Sequence, residues 1–296
     1  MSDSRRSYVF AGLAVFFWST IATAFKLALN ELSPGQLMMI ASATSVIVLG
    51  FFVIKEGSIK DILSSKWKDI ANSMLLGMLN PFIYYLILLK AYSLLPAQVA
   101  QPLNMIWPIV LVFLSIPLLK QKIPGRSFLA LFISFIGVYF ISSQGKPFSP
   151  GESNPTGILL ACGSSIFMAL YFILNVRDRR KDEVKLLLNF FFASVYILIF
   201  LLASGDFAGI TIKGLYLGIY VGIFEMGLTF FLWLKALRLS SRSDLVSNLV
   251  FLSPFLSLVF ISLILKEHIH YTTIIGLAII VSSILYQNIG KNPSKH

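Results

Sequence analysis

Apolar residues run through this chain in ten blocks separated by short polar breaks. The blocks are Tyr8–Leu29, Pro34–Ile54, Ile70–Leu89, Pro96–Leu119, Arg126–Ser143, Thr156–Val176, Leu186–Ser204, Gly214–Leu234, Asp244–Leu265 and Tyr271–Ile289. Most are about 20 residues long, enough for a helix to cross a hydrocarbon core of roughly 30 Å. The pattern predicts an all-α integral membrane protein with ten transmembrane helices. The connections are too short to hold a soluble domain of any size. The first block is long, has no small-residue cleavage site and is followed by further spans, so it is expected to remain as a signal anchor.

The ten blocks fall into two sets of five. Gly12, Trp18, Ser19, Thr23, Lys26 and Asn30 align at one fixed offset with Gly157, Gly163, Ser164, Met168, Tyr171 and Asn175. Leu89-Lys90-Ala91 recurs as Leu234-Lys235-Ala236. After a one-residue gap, Pro108 matches Pro254 and Leu119-Lys120-Gln121 matches Leu265-Lys266-Glu267. An odd number of spans inserts the second set upside down. The expected organisation is two inverted five-helix repeats, residues 1–146 and 147–296, joined by the Gly- and Pro-rich linker Gln144–Pro155. Helix breakers fall inside the spans at matched places. Pro102 and Pro108 interrupt the fourth span and Pro254 the ninth. Asn80-Pro81 sits mid-third span, opposite Glu225-Met226 in the eighth. Broken backbone at membrane depth is tolerated where other helices or a water-filled cavity satisfy it.

The charge sharpens this picture. The net charge is +11, which alone would admit a nucleic-acid ligand, but its placement argues otherwise. With the N-terminus taken as cytoplasmic, nineteen of the 24 Lys and Arg residues flank the inner ends of the spans and four the outer ends, with Lys26 inside a span. That bias predicts both termini on the cytoplasmic side. Lys66-Trp67-Lys68 reads as a segment lying on the inner leaflet. Trp67 and Trp233 fall where an interfacial aromatic belt is expected. Cys162, the one cysteine, lies within a span, so neither a disulfide framework nor a cysteine metal cluster is available. No metal or other cofactor is expected, and no catalytic motif is present.

Polar side chains inside spans are costly and mark candidate sites. Ser19, Thr23, Lys26 and Asn30 lie four, three and four apart, on one face of the first span. The same stripe in the sixth span is Ser164, Met168, Tyr171 and Asn175. Interhelical hydrogen bonding is the competing use for Ser19 and Thr23, and snorkelling to the outer surface for Lys26. The fourth span carries Gln98, Gln101 and Asn104, three apart, followed by Trp107. Amides donate and accept without ionising, so they suit a zwitterionic or polyhydroxyl ligand. Asn248 lies in the corresponding part of the ninth span. In the eighth, Gly214, Gly218 and Gly222 form a close-packing face, and Glu225 and Thr229 continue it, so Glu225 is expected to point into the bundle. Glu225 is the only acid deep within a span, a candidate proton carrier or ligand contact. Trp18, Tyr84 and Trp107 are candidate cavity walls.

Phe17-Trp18-Ser19-Thr20 in the first span, Leu32-Ser33-Pro34 opening the second, and Lys266-Glu267 with Gly276 and Ser283 behind it carry a family resemblance. The whole chain resembles the drug/metabolite transporter superfamily in its ten-span EamA-type branch. Asn104-Met105-Ile106-Trp107-Pro108, together with Trp18-Ser19-Thr20, is similar to the aromatic amino acid exporter subgroup. The resemblance implies an alternating carrier with a cavity lined by spans one, three, four, six, eight and nine. It departs at Met39-Ile40-Ala41-Ser42, where many relatives carry an Arg, and at Lys120-Gln121, which lacks the acid of Lys266-Glu267. The expected function is a secondary transporter that exports small metabolites, amino acids foremost, across a bacterial-type inner membrane by alternating access through a central cavity. The alternatives are a multidrug or nucleotide-linked metabolite carrier of the same fold and, from another class, a channel. The expected partners are the small-molecule substrate and the lipid bilayer, without nucleic acid. A single chain could enclose the cavity, so a monomer suffices.

Overall fold

The computed structural model describes residues 3–119, 125–147, 153–175, 177–240, 246 and 249–288. Among these residues the secondary structure is helical throughout, with no strand. The helices are α1 (Asp3–Leu29), α2 (Pro34–Lys55), α3 (Ile59–Leu63), α4 (Trp67–Gly77), α5 (Tyr84–Leu94), α6 (Ala97–Asn104), α7 (Trp107–Leu119), α8 (Gly125–Ser142), α9 (Pro155–Asn175), α10 (Asp182–Ser204), α11 (Ile212–Val221), α12 (Leu228–Leu239), α13 (Ser253–Phe260) and α14 (Tyr271–Asn288). Seven rods are long and apolar enough to cross a membrane: Arg5–Leu29, Pro34–Lys55, Trp67–Leu94, Ala97–Leu118, Pro155–Asn175, Asp182–Ser204 and Ile212–Leu237. Three more apolar helices are shorter, Phe128–Ser142, Leu249–Leu265 and Tyr271–Tyr286.

Three of these rods are interrupted. Between α4 and α5 a wide turn, Met78–Ile83, holds Asn80 at φ −149°, ψ 120°. Pro81 explains it: proline lacks an N–H and pushes the residue before it out of the helical region. Between α11 and α12 a second wide turn, Gly222–Gly227, ends with Gly227 at φ −103°, ψ −87°. The third break is the turn at Met105 and Ile106 between α6 and α7. The start of α2 explains the motif Leu32-Ser33-Pro34 in physical terms. Ser33 Oγ accepts from the Gln36 N–H at 3.2 Å, Gln36 Oε1 accepts from the Ser33 N–H at 3.1 Å, and Pro34 opens the helix. That is a capping box with proline at the first helical position.

The main packings join early elements to late ones. α1 lies on α12 and α13, α2 on α10, α5 and α7 on α9, and α8 on α14. The α8–α14 contact is a backbone-to-backbone approach. A Cβ on Gly137 would stand 2.7 Å from the Gly276 carbonyl oxygen, and one on Gly276 would stand 2.5 Å from that of Gly137. Ser134 and Ser283 share a hydrogen bond at 2.5 Å across the same seam. Membrane helices associate through this kind of small-residue contact.

Polar contacts define two ends. At the basic end Lys181 pairs with Asp61 at 2.8 Å, Arg180 donates to Ser73 at 2.7 Å, Asn72 donates to Asp178 at 3.1 Å, and Lys235 pairs with Glu56 at 3.5 Å. Burial pushes the Asp178 carboxyl up, but hydrogen bonds from Arg180 and Asn72 outweigh it and hold the group below its usual range. Trp67 and Leu63 are exposed at this end. At the opposite end Lys213 pairs with Glu31 at 2.8 Å, and Gln36 donates to the Ala208 carbonyl at 2.9 Å.

Candidate functional site

A cavity of about 400 Å³ lies in the middle of the bundle. It reaches from Tyr92 to Asn175, Lys185 and Leu237 at the basic end. Both wide turns border it, because Tyr84 follows the first and Glu225 lies within the second. A wide turn holds more than 3.6 residues, so it rotates the residues after it relative to the helix before. The eighth-span rod shows the effect. Gly218, Gly222 and Gly227 pack on α2, where added Cβ atoms would meet Ile40, Ala41, Thr44 and Val48 within 3.0 Å. The glycine face therefore continues through Gly227. Glu225 leaves that face and borders the cavity instead. Sequence periodicity had placed Glu225 on the glycine face because it assumed an unbroken helix.

Glu225 Oε1 accepts from the Tyr85 hydroxyl at 2.7 Å, so one hydrogen bond joins the two helix breaks. A second chain runs beside it. The Tyr84 hydroxyl donates to Asn104 Oδ1 at 2.9 Å, and Asn104 Nδ2 donates to Ser164 Oγ at 2.9 Å. Aromatic rings make most of the wall. Trp18 meets Phe230 at 5.7 Å and Trp233 at 5.4 Å, and Trp107 stacks on Phe172 at 4.8 Å. Gln101 Oε1 and Asn175 Oδ1 are buried without a partner, and both residues line the cavity. Unpaired buried acceptors are rare and call for a donor. A largely apolar cavity with a few convergent polar groups is the usual form of a small-ligand site.

Of the residues singled out in the sequence, Trp18, Tyr84, Gln101, Asn104, Trp107, Tyr171 and Glu225 line this cavity. Ser19, Thr23, Lys26, Gln98 and Thr229 do not. On α1 the lining stripe is Trp18, Ile21, Ala22 and Phe25, about 100° around the helix from the polar stripe. Ser19 Oγ donates to its own helix, at the Phe16 carbonyl, 2.6 Å. Thr229 likewise donates to the Phe224 carbonyl, and Thr23 is buried with its hydroxyl unpaired. Asn248 lies outside the described residues. The sixth-span stripe, by contrast, does face the cavity with Met168, Tyr171 and Asn175.

Lys26 and Gln98 belong to a closure at the end away from the basic loops. Lys26 Nζ donates to the Tyr92 and Leu95 carbonyls, each at 2.8 Å, which ties down the C-terminus of α5. Glu267 accepts from the Ala97 and Gln98 N–H groups at 2.9 and 3.2 Å, which caps the N-terminus of α6. Each charge sits at the helix end whose dipole favours it. Lys266, at φ +56°, turns the chain so that Glu267 reaches α6. Gln98 Nε2 donates to the His268 carbonyl at 2.8 Å, and Gln98 Oε1 accepts from the His270 N–H at 3.0 Å.

Lys185 and Trp233 also line the cavity. Sequence reading counted Lys185 only as a topological charge, because the seventh span was started one residue later. The signal available was the polar pair Lys185 and Asn189, one helical turn apart, and both prove buried. Lys185 pairs with Asp182 at 2.9 Å. Trp233, expected in an interfacial belt, packs on Trp18 instead because α12 lies against α1.

Span-length apolar helices around an aromatic, amide-bearing cavity are the build of a multi-pass membrane transporter. The chain belongs to the EamA-like transporter family, which it matches over residues 5–143 and 155–288. It is 28% identical to an uncharacterized transporter of Clostridium kluyveri over 95% of this chain and 93% of that one. It is 24% identical to Protein PecM of Dickeya dadantii over 71% of each chain, and 26% identical to the uncharacterized transporter YvbV of Bacillus subtilis over 72% of this chain and 70% of that one. A protein of solved crystal structure shares the fold at a TM-score of 0.66, with 16% identity over 96% of each chain.

Proposed function

We propose that this protein is a secondary carrier that exports amino acids, or closely similar zwitterionic metabolites, by alternating access. In this reading ten spans form two inverted five-helix repeats, residues 1–146 and 147–296, in an inner membrane with both termini cytoplasmic. The cavity then faces the cytoplasm, and the Lys26–Glu267 closure seals the outer side. The observation that carries the reading is one cavity bordered by both helix breaks, with Glu225 on its wall and Lys185 at its basic end. The pairing of an anionic and a cationic side chain in one aromatic chamber supports a ligand that carries both charges. The ammonium engages Glu225, and the carboxylate is received from Lys185 toward the amides of Gln101 and Asn175. Lys26 has no part in that contact, since its ammonium is engaged by backbone carbonyls. The aromatic walls around Glu225 also favour, as a second reading, a carrier of organic cations.

The test is counterflow into proteoliposomes with a panel of radiolabelled amino acids and organic cations, for wild type and Glu225→Gln. Wild type is expected to exchange at least one amino acid, and Glu225→Gln to lose most of that exchange. Gln keeps the hydrogen bond from Tyr85 but not the charge. Exchange of organic cations alone would replace the first reading with the second. Wild-type amino acid exchange by Glu225→Gln would remove the carboxylate from recognition.

A further inference from the structure

A second groove lies on the flank of the bundle, away from the central cavity. Its volume is about 380 Å³, near the lower bound of roughly 300–1,000 Å³ for small-ligand sites. It is built from both halves of the sequence. Pro34 and Gly35 come from the start of α2, and Leu86, Ile87 and Lys90 from α5. Leu160 comes from α9, and Phe200, Ser204 and Asp206 from the end of α10 and the turn after it. The walls are apolar along the helices. The charged groups gather where the helices end, at Lys90 and Asp206. Lys90 is exposed, and among the described residues neither Lys90 nor Asp206 forms an ion pair. The Asp206 carboxylate has one hydrogen-bond donor, Gln36 Nε2 at 3.3 Å.

A greasy trough with a separate cation and anion at its rim has a definite complement. The occupant must be apolar along most of its length and must carry an anionic and a hydrogen-bond-donating cationic group at one end. We infer that this groove holds one phosphatidylethanolamine molecule of the leaflet opposite the basic loops, its phosphate at Lys90, its ammonium at Asp206 and one acyl chain against Leu86, Ile87, Leu160 and Phe200. Charge complementarity selects this headgroup over its neighbours. Phosphatidylcholine offers a cation that cannot donate a hydrogen bond to a carboxylate. Phosphatidylglycerol carries no cation and sets its negative charge beside Asp206. The lipid would lie along the seam between α2 and α5 on one side and α9 and α10 on the other, so it would wedge elements that must move if the two halves rock. The site depends on the membrane location of the chain and not on the identity of the substrate.

Native mass spectrometry of the purified full chain in detergent tests this with phosphatidylethanolamine, phosphatidylcholine and phosphatidylglycerol of equal chain length. Wild type is expected to retain one phosphatidylethanolamine about fivefold more than either competitor, a factor equivalent to about 1 kcal/mol. Asp206→Asn is expected to erase the advantage over phosphatidylcholine while leaving the Gln36 bond to the Ala208 carbonyl intact. Lys90→Gln is expected to weaken retention of all three phospholipids, and Leu160→Trp, which fills the trough, to do the same without touching the charges. Equal retention of the three lipids by wild type, a preference for phosphatidylglycerol, or a phosphatidylethanolamine preference unchanged in both Asp206→Asn and Leu160→Trp would each overturn the assignment.

Discussion

The two ends of the central cavity are built in opposite ways. At the basic end the lining residues Asn175, Lys185 and Leu237 come from three different helices, and among the described residues Lys185 is the only ammonium on the wall. At the far end Lys26, Glu267 and Gln98 are each engaged by backbone groups. Lys26 holds two carbonyls of α5, Glu267 holds two N–H groups of α6, and Gln98 is fixed to His268 and His270. Side chains that bind backbone at helix ends fix the positions of whole helices. In the proposed carrier the far end is therefore the latch and the basic end the mouth. Within one family of polar intramembrane residues, burial alone does not separate these roles; the partner does.

The largest loss is expected where the amides meet the first helix break, away from the latch. Asn104→Leu leaves the buried Tyr84 hydroxyl without its acceptor and takes from Ser164 its amide donor, leaving only the bond to the Ala161 carbonyl. Unpaired buried groups cost about 1–3 kcal/mol each, so transport at equal membrane abundance should fall roughly 30-fold or more. Gln101→Leu removes one unpaired amide and should cost less, on the order of tenfold. The comparison variant is Phe132→Leu, on an exposed face of α8. Equal rates for Asn104→Leu and Phe132→Leu would detach the amides from the cavity's work.

Loosening the latch should act differently, on access more than on binding. Glu267→Gln gives up a carboxylate that accepts two backbone N–H bonds, an interaction of about 1.5–3 kcal/mol for a charged acceptor. Together with Lys26→Met it should raise labelling of a cysteine at Tyr92 from the far side by about tenfold. Unchanged labelling would show that the closure is held elsewhere.

How far the sequence carried this account depends on what periodicity encodes. The apolar helices, the break at Asn80-Pro81 and the inward placement of Glu225 were legible, since hydropathy, proline chemistry and the rarity of a mid-span acid are local properties. The choice of face was not. A polar stripe at 19, 23, 26 and 30 says that one side of α1 avoids lipid, but not whether it meets a cavity or a neighbouring helix. Trp18 and Ser19 differ by one residue and end up in different environments. The rotation of Glu225 off the glycine face depends on a wide turn that no residue count predicts. Lys185 was hidden by its neighbours, because a lysine in a basic loop reads as topology until its burial is known.

A smaller effect concerns the basic end itself. Asp178 is held below the usual carboxylate range of about 3.9, so its contribution to folding is present above that value. It is lost as pH falls through the lower folded value. Hydrogen-exchange protection factors across residues 177–185, which remove the intrinsic slowing of exchange in acid, should therefore fall between about pH 5 and about pH 3 (values on the order of the ordinary Asp range), and Asp178→Asn should flatten that fall. A flat wild-type profile would mean that Arg180 and Asn72 do not hold the loop.

The most direct test of the central claim is two-sided accessibility. Single cysteines at Leu237, in the mouth, and at Tyr92, beside the latch, are placed in a Cys162→Ala background and treated with an impermeant thiol reagent. The reagent is applied to intact spheroplasts and to inverted vesicles. Without substrate, Leu237→Cys should label only in inverted vesicles, where the cytoplasmic face is outside, and Tyr92→Cys should resist labelling in spheroplasts. Labelling of Leu237→Cys from the spheroplast side, or of Tyr92→Cys there at the same rate, would contradict a cavity open at the basic end and latched at the other.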